Sequence, residues 1–235
     1  MRARHSFTER LARRIDHFPC NITEAKPEEL EELGHFRYNV YIKQSGKNAF
    51  YADHGNESLL EPLDQISVNL LAKDTNGQLV GTARISRASD GWSLPDQCQP
   101  QPWSWVPLSQ SACVSRLMVA RRGAPIVTMP MLFAACFRWG CENSIRFCVI
   151  FCAPHLTALF ESYGCLQFAQ VYTDPFAGPQ VPMVFSTDRE YLARISSPFL
   201  DLVGQVQINV DDIDYLRSLQ FSNKTFKANL CDIKR

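Results

Sequence analysis

The stretch Asp74-Thr75-Asn76-Gly77 constrains this chain more than any other. Asp74 to Gly77 reads as a turn, and Asn-Gly between two apolar runs is the strongest short hairpin cue. It predicts an antiparallel hairpin with strands over 66–73 and 78–86. A lone hairpin is marginal in water, so the rest of the chain must supply further strands and covering helices. The downstream apolar segments have the required lengths. Strands are expected over 113–120, 146–152, 166–172 and 181–186, and helices over 128–141 and 153–162, the second closed by Gly164. Upstream, Pro27 followed by Glu28, Glu29, Glu31 and Glu32 marks a helix start, because proline suits the first turn and acids suit the positive end of the helix dipole. Leu30, Leu33, Phe36 and Val40 line one face of that helix, and Arg37 and Tyr41 lie one turn apart. Residues 44–63 read as a long polar loop and 90–110 as an irregular, proline- and tryptophan-rich excursion. A hairpin followed by alternating strands and helices implies an α/β fold: a mixed central sheet with helices on its faces.

Composition bounds the function. The 24 Lys+Arg and 24 Asp+Glu cancel, which argues against a nucleic-acid coat protein, where a basic excess supplies most of the affinity. No apolar run reaches the ~18–20 residues of a membrane span, so no transmembrane segment is expected. The start carries Arg2, Arg4, Arg10, Arg13 and Arg14 without an apolar stretch and does not read as a secretory signal. Cysteines such as Cys136, Cys148 and Cys152 fall inside apolar segments, the pattern of reduced, buried thiols in a cytoplasmic protein. Three parts are expected: a basic N-terminal extension over 1–25, a globular domain over 26–186 and a helical extension over 187–235, including a helix at 211–220, packed on the same domain. Phe7, Leu11, Ile15 and Phe18 recur at helical spacing, so the leader reads either as an amphipathic helix for an acidic or lipid partner or as an ordinary terminal helix.

Several pieces together resemble the GNAT acyltransferase fold. Within it they are similar to the branch of N-acyl amino acid synthases and acyl-homoserine-lactone (autoinducer) synthases. FRYNVY resembles that branch's Arg-x-x-x-aromatic and assigns Arg37 and Tyr41. EPLD resembles its paired acids, Glu61 and Asp64. LVGTARIS resembles the Gly-x-x-Arg strand and assigns Arg84, and VSRLMV the Ser-Arg strand with Ser115 and Arg116. CAPHLTALFESYGCLQF resembles the helix and Tyr-x-x-x-Gly-Phe ending. The resemblance covers residues 37–185 and implies transfer of a fatty acyl group from a thioester to a primary amine, of an amino acid or of a peptide lysine or ornithine side chain. By it, Glu61, Asp64, Arg84, Ser115 and Cys113 are candidate catalytic residues, and Arg37, Tyr41, Arg116, Leu117 and Val119 candidate substrate contacts.

Two departures refine the expectation. GNAT enzymes that use acyl-CoA carry an Arg/Gln-x-x-Gly-x-Gly/Ala loop whose amides cradle a pyrophosphate at a helix start. Here the loop reads ARRGAPIVTMP: it lacks the second glycine and contains Pro125, which has no N–H. The branch resembled takes its acyl group from an acyl carrier protein, so that protein's phosphopantetheine is the expected donor, acyl-CoA the alternative, and no bound cofactor is expected. Arg121, Arg122 and Gly123 are the candidate donor contacts. Autoinducer synthases place a glutamate two residues before the Ser-Arg pair, where this chain has Cys113; this disfavours the lactone-forming alternative. A GNAT-like binding module without catalysis is the non-enzyme alternative.

The residues themselves suggest how the site is charged. An arginine inside a strand between apolar neighbours needs carboxylates, so Arg84 and Arg116 are expected either to pair with Glu61 and Asp64 or to grip an acceptor carboxylate. Glu61 and Asp64 would position the ammonium or take its proton. Cys113 as a nucleophile would need a nearby base that the sequence does not supply, and an inert thiol is favoured. Tyr163 would either pack or protonate the leaving thiolate; His155 reads as a capping or surface residue. Cys148 and Cys152 are four apart on a strand, about 13 Å at ~3.3 Å per residue, so no metal site is expected.

Overall fold

The computed structural model describes residues 20–91, 108–187 and 189–202. The expected leader helix, most of the excursion over 90–110 and the helix over 211–220 lie outside the described residues. Strands β1 (Cys20–Glu24), β4 (Val68–Asp74), β5 (Leu79–Arg87), β6 (Ser111–Val119), β7 (Phe147–Cys152), β10 (Gly178–Ser186) and β8 (Leu166–Gln167) form one sheet in the order β1-β4-β5-β6-β7-β10-β8. All its neighbours run antiparallel except β6 and β7, which are parallel. The short strand β9 (Tyr172–Asp174) pairs with β10 off this path. The mixed sheet is the one expected. In the β4–β5 turn, Asp74 Oδ1 accepts the N–H groups of Asn76 (2.8 Å) and Gln78 (2.9 Å), and Gly77 takes the left-handed backbone (φ 79°) that the turn requires.

Three expectations need correction. The leader was expected to run to residue 25, but Cys20–Glu24 is a sheet strand paired with β4, so the sheet begins inside it. The loop over 44–63 contains a two-strand ribbon, β2 (Ala52–Asp53) and β3 (Ser58–Leu59), which packs on the first helix, α1 (Leu30–Tyr38), around Tyr38, Ala49 and Leu59. The single strand over 166–172 divides into β8 and β9.

The sheet has two differently furnished faces. Gly81, Ala83 and Ile85 of β5 face helix α2 (Thr128–Glu142), whose Leu132, Phe133, Cys136 and Phe137 are fully buried in the main core. A Cβ at Gly81 would lie 2.9 Å from both Leu132 Cδ1 and Thr128 Cγ2, so the strand and helix meet where only glycine fits. Helix α3 (Thr157–Tyr163), ended by Gly164 at φ 106°, and α4 (Arg189–Arg194) complete that core. There Tyr163 stacks on Phe199 (5.0 Å between centroids) and its neighbour Phe133 packs edge-on to Phe160 and Phe185. The 189–202 segment thus packs on the domain. The other face of the sheet carries α1 and the polar side chains of β5, including Arg84.

Two irregularities shape that second face. Helix α1 widens into a π-helical stretch, Asn39–Gln44, which turns Tyr41 away from the position an unbroken α-helix would give it relative to Arg37. In β6 the pairing with β5 slips between Arg84–Ser115 and Thr82–Met118, so Arg116 and Leu117 stand opposite Ala83 alone. This is a bulge, with Arg116 at φ 51°.

Candidate active site

Strands β6 and β7 pair only from Ser111–Phe147 to Val114–Ile150. Beyond Val114 they separate, beside the bulge, and a cleft of about 1130 Å³ opens there. One wall is β6 from Cys113 to Val119 with Tyr41 from α1; the other is Ile150–Ala153, Tyr172, Asp174 and Gln180. The ring of Phe151 meets Tyr172 edge-on (5.9 Å), which ties β9 to the β7 wall.

The floor is a network of five charges. A 3-10 turn, Pro62–Gln65, places both acids: Glu61 N–H donates to Asp64 Oδ2 (2.7 Å), and Asp64 N–H to the Glu61 carbonyl (2.9 Å). Asp64 points inward. Its Oδ1 accepts from Arg37 Nη1 (2.7 Å) and Arg84 Nη1 (3.2 Å), and Arg37 Nη2 also donates to Asn69 Oδ1 (2.8 Å). Glu61 points toward the cleft and is clasped by Arg84 Nη1 and by Arg116 Nη2 and Nε. Arg84 Nε donates to Ser115 Oγ (3.1 Å). Arg116 lies over the Tyr41 ring, 5.6 Å from its centroid.

Exposure is graded through this network. The side chains of Arg37 and Asp64 are 0% exposed, Arg84 7%, Glu61 11% and Arg116 21%. Arg37, Arg84 and Arg116 against Glu61 and Asp64 leave one surplus positive charge. Burial pushes the Glu61 carboxyl up, but the hydrogen bond and charge of Arg116, with Arg84 behind it, hold it below the usual carboxylate range. Burial likewise raises Asp64, and Arg37 and Arg84 outweigh it. Burial pulls Arg37 down to about 10 against the pull of Asp64, so it stays charged at neutral pH.

The expected pairing of Arg84 with both acids, and of Arg116 with Glu61, is therefore present. Arg37 differs from its assignment as a substrate contact: it is sealed beneath the site and holds Asp64 and Asn69. Asn69, absent from the sequence reading, is the buried polar partner that makes this possible. Tyr41, Arg116, Leu117 and Val119 do line the cleft, as does Ser115, whose hydroxyl is engaged by Arg84. Cys113 lines it too, but burial pushes its thiol up to about 12, far from a thiolate at neutral pH. Arg121 lines the mouth, its N–H on Gln44 Oε1 (3.2 Å); Arg122 and Gly123 are exposed on the loop before α2. At the start of α2, Thr128 N–H donates to the Pro125 carbonyl (2.9 Å) and Pro130 has no N–H, so this helix end offers fewer amides to a phosphate than an ordinary one. Tyr163 is packed among Phe133, Phe160 and Phe199, away from the cleft, whereas His155 is exposed on its wall.

No family model and no curated protein matches the chain. Solved structures do. TofI, solved in a ternary complex with an inhibitor and MTA, matches 78% of this chain and 100% of its own at 18% identity, with a TM-score of 0.61. The fold is shared with solved acyl-homoserine lactone synthases. The synthase LasI matches 80% of the chain and 98% of its own at 14% identity (TM-score 0.59). The CoA-dependent synthase BjaI, solved with SAM and isopentyl-CoA, matches 84% and 98% at 14% identity (TM-score 0.54). A putative N-acetyltransferase from Lactobacillus plantarum is similar over 72% of the chain at 14% identity (TM-score 0.51), consistent with a GNAT-like architecture. Among the described residues no helix is long and apolar enough to cross a membrane.

Proposed function

We propose that this chain is an N-acyltransferase that moves a fatty acyl group from an acyl carrier protein thioester to a primary amine. The amine belongs to an amino acid, or to a lysine or ornithine side chain of a peptide. The observation that carries this reading is the cleft between the diverging strands β6 and β7, with a strand bulge on one wall and the Glu61–Arg84–Arg116 network on its floor. The bulge leaves a backbone amide outside the ladder, where it polarises the thioester carbonyl. The amine nitrogen attacks that carbon, the C–N bond forms and the C–S bond breaks. The sulfur leaves as a thiol, and one proton of the original ammonium goes to it and one to solvent.

Within this reading Glu61 and Asp64 act as positioning groups. Both are clasped by arginines and held below the usual carboxylate range, which suits fixing Arg84 and Arg116 rather than taking up protons. Arg116, the most exposed cation of the network, meets the acceptor's carboxylate, and Tyr41, Leu117 and Val119 complete that wall. The amide-poor start of α2 favours a pantetheine arm over CoA, with Arg121 and Arg122 toward the donor's phosphate or the carrier's acidic surface. The seven cysteines among the described residues are free thiols, which is in keeping with a cytoplasmic setting.

A second reading, acyl-homoserine lactone synthesis, is favoured by the similarity to LasI and BjaI. Incubating the full chain with octanoyl- and hexadecanoyl-carrier-protein and free amino acids, a lysine peptide or S-adenosylmethionine, followed by mass spectrometry, separates them. An acylated amino acid or peptide supports the proposal. An acylated lactone supports the second reading. Absence of any acylated product from all three acceptors refutes both.

A further inference from the structure

We propose that Asp174, on the wall opposite the arginine network, is the residue that binds the acceptor's ammonium. This inference rests on the transfer reading and adds the residue that the reading lacks. An amine acceptor reaches the site as a cation, and a cation needs an anionic partner in a half-desolvated cleft. Among the described residues, three acids line the cleft: Glu61, Asp90 and Asp174. Glu61 is clasped by two arginines. Asp90 is exposed at the rim, beside its Ser89 hydrogen bond (3.0 Å). Asp174 is half-buried and differently built.

Asp174 ends β9, and its register partner Gly178 starts β10. Its Oδ1 accepts the N–H groups of Phe176 (2.8 Å) and Ala177 (2.6 Å), which fix the carboxylate's orientation. No cation is paired with it among the described residues, and Oδ2 has no partner there. The Tyr172–Phe151 contact holds the strand against β7. Across the cleft stand Tyr41 and Arg116, and the Asp174 charge is felt by the Tyr41 phenol. The cleft therefore has two poles: the surplus positive charge at Arg116 and an unpaired carboxylate at Asp174. An acceptor bearing both an ammonium and a carboxylate is complementary in charge to those two poles, the ammonium on Asp174 and the carboxylate on Arg116. A neutral or purely anionic acceptor does not.

Asp174→Asn tests this with little disturbance, because the amide oxygen still accepts from Phe176 and Ala177 while the charge is lost. The full chain is assayed with a carrier-protein thioester and the amino acid that the wild type acylates best. The expected result is a ~10- to 100-fold rise in KM for the amino acid, the range for losing one charge-assisted hydrogen bond, with KM for the donor within ~2-fold. A charge-specific control uses competition by the 2-hydroxy acid analogue, which keeps the carboxylate and lacks the ammonium. Wild type should bind the amino acid much better than the analogue, and Asp174→Asn should erase most of that preference; Asp174→Glu should restore part of it. An amino-acid preference unchanged in Asp174→Asn overturns the assignment while leaving the transfer reading intact. Equal weakening of both ligands also overturns it, because that is the signature of a merely structural role. A wild type that acylates no amine overturns both.

Discussion

Replacing Arg37 with leucine probes the inner half of the network most directly. The guanidinium and the Asp64 carboxylate are wholly buried and 2.7 Å apart. Arg37→Leu keeps most of the apolar stem volume but removes the Asp64 partner and leaves Asn69 Oδ1 without its donor. Removing one member of a buried pair costs about 3–5 kcal/mol, chiefly because the remaining charge stays buried. Arg84 lies 3.2 Å from Asp64 and relieves part of this, so the lower half of the range is expected. At about 2–4 °C per kcal/mol for a domain of this size, the melting temperature should fall by about 6–16 °C. The acid limb carries a second signature. Asp64 has a depressed folded-state pKa, so its stabilisation is present above the unfolded carboxylate pKa and fades as pH falls through the folded one. With Arg37 gone, that depression shrinks, and the loss of stability between about pH 5 and 2 becomes shallower than in wild type. Urea denaturation across this range measures both effects. A change below about 1 kcal/mol with an unaltered acid limb would show that Arg37 and Asp64 are not the buried pair described.

The other sites give sharper contrasts. Glu61→Gln leaves Arg84 and Arg116 without their shared anion and should lower turnover by at least ~10-fold while the protein still melts cooperatively; full activity, measured by product mass spectrometry, would refute the positioning role. Cys113→Ala should retain turnover within ~3-fold, and the intact wild-type protein should show no persistent acyl adduct during reaction; an adduct at Cys113 would instead establish a covalent route. Gly81→Ala pushes a methyl group into Leu132 and Thr128 and should destabilise by about 1–3 kcal/mol, measurable by thermal melting; an unchanged melting temperature would mean that α2 has room to move away from β5.

Much of the sheet is legible in the residues because local and global signals agree there. Asn76-Gly77 sets a turn that the flanking apolar runs require, and Gly164 ends a helix where only a left-handed residue can. Strand β1 is not legible, because only Cys20 among Cys20–Glu24 is buried; its identity comes from pairing with the edge of β4 rather than from an apolar alternation. In the site, Arg84 announces its need for carboxylates because it interrupts an apolar strand. Arg37 gives no such sign: on an acid-rich helix it looks like a solvated surface residue, and its burial depends on Asp64 and Asn69 arriving from beyond the loop. The bulge at Arg116 and the π-helical stretch at Asn39–Gln44 leave no mark in residue spacing, which is why Arg37 and Tyr41, one turn apart in sequence, serve different layers. Asp174 reads locally as an ordinary turn residue, and only the sheet brings it across from Tyr41.

The arrangement of the five charges shows how one short turn places one acid in the interior and one at the cleft. On the Pro62–Gln65 turn Asp64 Oδ2 accepts the Glu61 N–H and the Glu61 carbonyl accepts the Asp64 N–H, and the two side chains diverge, one inward and one toward the cleft. The inward acid meets Arg37 where both side chains are fully buried and no water competes. The outward acid shares Arg84 with Asp64 and meets Arg116 at the cleft, where solvent and ligands do compete. Arg84 thus links the buried pair to the one at the cleft. Arg116 is the member of the network with the most access to the cleft. In the proposed reaction an acceptor carboxylate at Arg116 would meet a network that carries one more positive than negative charge, which favours an anion there.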